Sequence, residues 1–177
     1  MDSLNDTFQK RLLETFSIEA KEHIDTLSNG LLELKKTPDA QSAKVLVEVL
    51  FREAHSFKGA SRAVNIIEIE QVCKAMEDVF NHYKKTGAGI PDTIIEVLLE
   101  SNDFLSLLLK SDETQRKTLK PQVQKMIKSL YTLFESVESN TAEELPIPEE
   151  KINVLEPVAT EELSHPQKDK DKKLEDS

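Results

Sequence analysis

Apolar side chains recur in this chain at intervals of three and four residues, and that periodicity commits most of it to packed helices. The first run passes through Phe8, Leu12, Phe16, Ala20, Ile24, Leu27, Leu31 and Leu34, mildly interrupted by Gly30, and the Thr37-Pro38-Asp39 break ends it. A second passes through Val45, Leu46, Leu50, Ala54, Phe57, Ser61 and Val64. A third carries Ile69, Val72, Cys73, Met76, Phe80 and Tyr83 and stops at Gly87-Ala88-Gly89. Pro91 suits the first turn of a fourth helix, with Ile94, Ile95, Leu98, Leu105 and Leu109 on its buried side. After a break at Asp112-Glu113-Thr114, Pro121 is expected to open a fifth helix through Val123, Ile127, Leu130, Phe134 and Val137. No alternation of Val, Ile and Thr is long enough for a sheet. Short connections favour antiparallel neighbours. The expected fold is all-α: an up-and-down antiparallel four-helix bundle with an additional C-terminal helix.

Charge divides the chain. Of its net −10, the segment from Asn140 to Ser177 holds −6, from 11 Asp/Glu against 5 Lys. That segment also contains Pro146, Pro148, Pro157 and Pro166 and no aromatic residue, so it has too little apolar surface to offset the entropy of ordering. Residues 1–139 are therefore expected to form the bundle and 140–177 a disordered linker or tail. An acidic balance makes a nucleic-acid backbone an unsuitable partner. No apolar run approaches the ~20 residues that span a bilayer. The acidic start, Met1-Asp2-Ser3-Leu4-Asn5-Asp6, lacks the features of a signal peptide. A single cysteine, Cys73, forms no internal disulfide and reads as a small core residue. A cytoplasmic protein without membrane contact is expected.

One helix carries a feature that packing alone does not ask for. The segment Glu53 to Val64 reads as helical yet has Gly59 in its middle, at a cost of ~1 kcal/mol relative to Ala. Helical spacing puts His55, Lys58, Gly59 and Arg62 on one face, with Phe51 and Arg52 one turn earlier. An imidazole flanked by cations, beside bare backbone, suits acceptance of an anionic group delivered by a large partner. The simplest such group is a phosphoryl. If Leu50, Ala54, Phe57 and Val64 are the buried stripe, His55 lies one residue off it, roughly 100° around the axis. Glu77, beside Cys73, Met76 and Phe80, holds the same borderline position on the third helix. His23, His82 and His165 read as ordinary surface or capping residues.

The stretch from Phe51 to Phe80 resembles the histidine-containing phosphotransfer (HPt) domain of CheA-type chemotaxis histidine kinases. The residues that carry the likeness are Arg52, Ala54-His55-Ser56-Phe57-Lys58-Gly59-Ala60, Arg62-Ala63-Val64 and Val72-Cys73-Lys74-Ala75-Met76-Glu77-Asp78-Val79-Phe80. The resemblance implies that His55 accepts a phosphoryl group, that Glu77 hydrogen-bonds its far ring nitrogen, and that Lys58 interacts with phosphoryl oxygens. Lys74 and Arg62 would add positive charge, and Gly59 would let a partner approach. This chain has Asn65 where the family often has glycine, and Lys74 where many members have a second histidine.

The same resemblance implies the partners. With no G-x-x-x-x-G-K-[ST] loop and only four glycines, the chain is expected to hold no nucleotide or other cofactor. A CheA-type kinase catalytic domain would supply ATP-derived phosphoryl groups. The receiver domain of a response regulator would take them onto an aspartate with its own Mg²⁺. The isolated domain is expected to be monomeric. Three rivals stand beside this reading. A metal-binding bundle is disfavoured because Glu53 precedes His55 by two residues rather than three and Lys58 repels a cation. The dimerisation helices of an ordinary sensor kinase typically follow their histidine with an acid, where this chain has Ser56. A non-phosphorylated scaffold leaves the joint occurrence of His55, Lys58, Gly59 and Glu77 without a purpose.

Overall fold

The computed structural model describes residues 2–142 apart from Pro38, with side chains described over 7–136. Among the described residues five helices follow one another: α1 (Asp2–Leu34), α2 (Ala40–Ala63), α3 (Ile67–Thr86), α4 (Asp92–Lys110) and α5 (Glu113–Ala142). The tail expected at 140–177 lies outside the described residues from 143 onward.

Helices α1 to α4 close a ring in which each packs on the next and α4 returns to α1, while α5 lies against α3 and α4. Cross-helix pairs give the directions. Gly30 meets Leu50 and Phe16 meets Phe57, so α1 and α2 are antiparallel. Lys35 pairs with Glu96 at 2.8 Å and Asn102 Nδ2 donates to the Ile24 carbonyl at 2.9 Å, so α1 and α4 are antiparallel too. The core between them is Leu27, Leu31, Leu50, Phe57, Ile69, Met76, Phe80, Leu98 and Leu105, all fully buried. Phe57 lies at its centre, and truncating such a ring to alanine costs roughly 3–5 kcal/mol.

Gly30 has a packing reason. A Cβ there would sit 2.8 Å from Leu50 Cδ2, so the glycine lets α1 and α2 approach. The buried stripe of α2 is Leu50, Ala54, Phe57 and Ser61, whereas Val64 is only half-buried. Ser61 satisfies its hydroxyl by donating to the Phe57 carbonyl one turn back. At the far end of the first run Phe8 is 66% exposed, so the helical spacing there extends past the bundle.

The ends of α2 are built by local chemistry. Asp39 caps it, accepting from the Ser42 amide at 2.7 Å. At its C-terminus Ile66 N–H donates to the Ser61 carbonyl and Asn65 N–H to the Arg62 carbonyl. This is a Schellman arrangement, and Asn65 supplies its left-handed residue at φ 60°. Asparagine thus does here what glycine does in most such ends, and the chain reverses into α3.

Two helix starts differ from expectation. Pro91 is the residue before α4 rather than inside its first turn, and its carbonyl accepts from Ile94 and Ile95. The larger difference is α5, which begins at Glu113 and holds Pro121 in its interior. The reason is a capping box: Gln115 N–H donates to Asp112 Oδ1 at 2.7 Å while Gln115 Oε1 accepts from the Asp112 amide at 2.9 Å. Those two bonds fix the helix start eight residues before the proline, which is tolerated on an exposed face.

Candidate phosphotransfer site

The α2–α3 seam places the site, and its register is regular. His55 faces Glu77; seven residues earlier on α2, Glu48 faces Lys84; seven residues later, Arg62 faces Glu70. Steps of two helical turns in opposite senses are what an antiparallel helix pair requires. The distances are 3.1 Å for His55 Nδ1 to Glu77 Oε1, 2.8 Å for Lys84 Nζ to Glu48 Oε2 and 3.3 Å for Arg62 Nε to Glu70 Oε1.

Glu77 holds two groups with one carboxylate. Its Oε1 faces His55 Nδ1 and its Oε2 lies 2.5 Å from Lys58 Nζ. The Glu77 side chain is 12% exposed, Lys58 21% and His55 62%. Burial pushes the Glu77 carboxyl up, but the hydrogen bonds and charges of Lys58 and His55 outweigh it and hold the group below the usual glutamate range. Glu77 is therefore an anion at neutral pH and can only accept. The proton between the two residues consequently belongs to Nδ1, which donates to Oε1. On the neutral ring Nε2 then carries the lone pair, on a side chain that is mostly in solvent.

The other expected residues separate into two groups. Gly59 is exposed, and a Cβ built on it would meet nothing within 4 Å, so neither the helix nor its packing needs a glycine there. Arg62 and Lys74 have acidic partners of their own rather than joining Glu77. Arg62 is held by Glu70, and Lys74 by Asp78 one turn along α3. Asp78 in turn accepts from Tyr131 of α5 at 2.8 Å, and Tyr131 is pushed up to about 12 by burial and by this carboxylate. Cys73 is fully buried, and burial raises its thiol far above the usual range, which leaves it a core residue. Among the described residues no group of three or more His, Cys, Asp and Glu side chains is placed to hold a metal ion.

Sequence reasoning gave His23 only a surface or capping reading, set Phe51 on the face of His55 without a role, and did not single out Lys84. His23 bridges α1 and α2, its Nδ1 2.7 Å from Glu53 Oε2 and its ring stacked on Phe57 at 5.4 Å. No local pattern signals this contact, because it depends on the α1–α2 register. Phe51 and Lys84 meet beside His55, with the ammonium 4.2 Å from the ring centroid. That pair was accessible in principle, since the seven-residue step from His55 and Glu77 leads to Glu48 and Lys84.

A family profile described as the Hpt domain matches residues 11–112. The chain belongs to the Hpt-domain family. Its matched region takes in α2, α3 and α4, with His55, Lys58, Gly59, Arg62, Lys74 and Glu77. Among curated relatives, the chemotaxis protein CheA of Listeria monocytogenes is 28% identical over 98 residues, covering 55% of this chain and 15% of that protein. The sensor histidine kinase CheAY of Helicobacter pylori is 34% identical over 100 residues, covering 56% and 12%. This Hpt chain thus spans less than a sixth of the length of either relative. The same fold occurs in the phosphorylated P1 domain of CheA3, solved in complex with CheY6 from R. sphaeroides. That match has a TM-score of 0.53 and 23% identity, over 68% of this chain and 98% of the other.

Proposed function

We propose that this Hpt domain is a phosphoryl carrier in a chemotaxis-type signalling system, with His55 as its acceptor. The observation that carries the proposal is an imidazole 62% exposed whose Nδ1 is tied to a half-buried, ionised Glu77, leaving Nε2 free to attack. The donor is ATP bound by a CheA-type kinase catalytic domain. The Nε2 lone pair forms a bond to the γ-phosphorus as the bond to the β-γ bridging oxygen breaks, and ADP leaves with that electron pair. The imidazole acquires positive charge while Nδ1 keeps its proton, and Glu77 stabilises that charge across the 3.1 Å hydrogen bond.

The second half reverses the first. An aspartate oxygen of a response-regulator receiver attacks the phosphorus, the N–P bond breaks, and its electrons return to Nε2. Mg²⁺ and the receiving carboxylate belong to that partner. Lys58, one turn from His55, is the cation nearest to hand for the phosphoryl oxygens, and Gly59 keeps the approach clear of side chains. Arg62 and Lys74 add positive charge at longer range from within their own ion pairs.

The test is incubation with a CheA-type kinase catalytic domain and γ-labelled ATP, followed by addition of a receiver. Wild type should take up label and lose it to the receiver, and His55→Gln should take up none. Label that persists on His55→Gln would defeat the assignment.

A further inference from the structure

We propose that Phe51 is a positioning residue for the phosphoryl acceptor, setting the plane of the His55 ring. This deepens the function just proposed and rests on it.

A histidine side chain turns about two torsions, and its reactive lone pair lies in the ring plane. In-line attack therefore needs both torsions set. The Nδ1–H to Glu77 bond pins one point of the ring at 3.1 Å and leaves the ring free to swing about that point. With 62% of the side chain in solvent, packing restrains it little on the open side.

Phe51 supplies the missing restraint. It lies one turn before His55 on α2, where i and i+4 side chains meet. The two ring centroids are 6.1 Å apart and the planes are inclined by 27°, a stacked arrangement. Phe51 is itself held firmly. It packs against the hydrophobic core, and Lys84 of α3 places its ammonium 4.2 Å from the Phe51 centroid. Lys84 is in turn anchored by Glu48 at 2.8 Å. Glu77 thus fixes a point and Phe51 a plane, from two different helices. Only an aromatic side chain at this position presents a flat face. An aliphatic one of similar bulk fills the space and leaves the imidazole free to tilt.

Two substitutions separate a positioning role from a packing role. Phe51→Leu keeps apolar volume and removes the flat face; Phe51→Tyr keeps the face. Phosphorylation of the full chain by a CheA-type kinase catalytic domain is followed across substrate concentration, with the melting midpoint measured for each variant. We expect kcat to fall about tenfold in Phe51→Leu with KM changed less than about twofold, the scale on which misplacement of a reacting atom acts. Phe51→Tyr should restore wild-type kcat. An unchanged kcat in Phe51→Leu, or an equal fall in Phe51→Tyr, overturns the inference while leaving His55 as acceptor. Wild type that takes no label removes the proposed function, and this inference with it.

Discussion

Glu77 does opposite things to the two residues it holds. In the proposed carrier it orients the imidazole that reacts and restrains the ammonium that helps, with one oxygen for each. Replacing it with alanine should leave the bundle folded but slow phosphorylation of His55 by roughly 10–100-fold, the consequence of a mispositioned nucleophile. An unchanged rate in Glu77→Ala would remove the residue from the mechanism. The depressed ionisation of Glu77 also has a sign. Its folded-state value lies below the unfolded one, so its contribution to stability is complete above the ordinary glutamate value of ~4.3 and is lost as pH falls through the lower folded value. Denaturant melts from pH 7 to pH 3 should show the gap between wild type and Glu77→Gln narrowing on acidification; a constant gap contradicts this. Gly59 permits a second separation of roles. With open space around its Cβ position, Gly59→Ala should raise stability by about 0.5–1 kcal/mol. Gly59→Leu should slow transfer from the kinase domain, and equal transfer rates for the two would show that access is not what the glycine provides.

Helices are the scale at which the sequence was most readable. All five helices were foreseeable from three-and-four spacing, because packing an apolar stripe is the dominant reason each exists. The start of α5 was not, since a proline signal at Pro121 competes with a capping box at Asp112 and Gln115, and the box satisfies more backbone groups. Pro121→Ala is accordingly expected to stabilise the domain by about 1–3 kcal/mol in urea unfolding, because it restores a helical amide. A destabilised variant would mean that the proline serves a contact of its own. The left-handed end of α2 was readable from Asn65, and Asn65→Val should cost about 1–2 kcal/mol because a β-branched residue resists φ 60°. The candidate site was readable as far as His55, Lys58 and Glu77, which share one short seam. Contacts such as His23 with Glu53 and Tyr131 with Asp78 carry no local pattern and appear only in three dimensions.

The described bundle keeps its proposed acceptor nitrogen and its core in different places. The core lies around Phe57, whereas His55, two residues earlier, faces outward with an acid beneath it. A bundle that presents the exposed His55 imidazole suits the proposed role, in which kinase and receiver would each bring their own active site to it. If Glu77 holds Nδ1, as the proposed function requires, the phosphoryl group goes to Nε2. Long-range phosphorus–nitrogen correlation on uniformly ¹⁵N-labelled chain, after phosphorylation by a CheA-type kinase domain, reads this directly. Coupling of a single phosphorus to Nε2 of His55 is the expected result, and coupling to Nδ1, or to any other residue, would contradict the account.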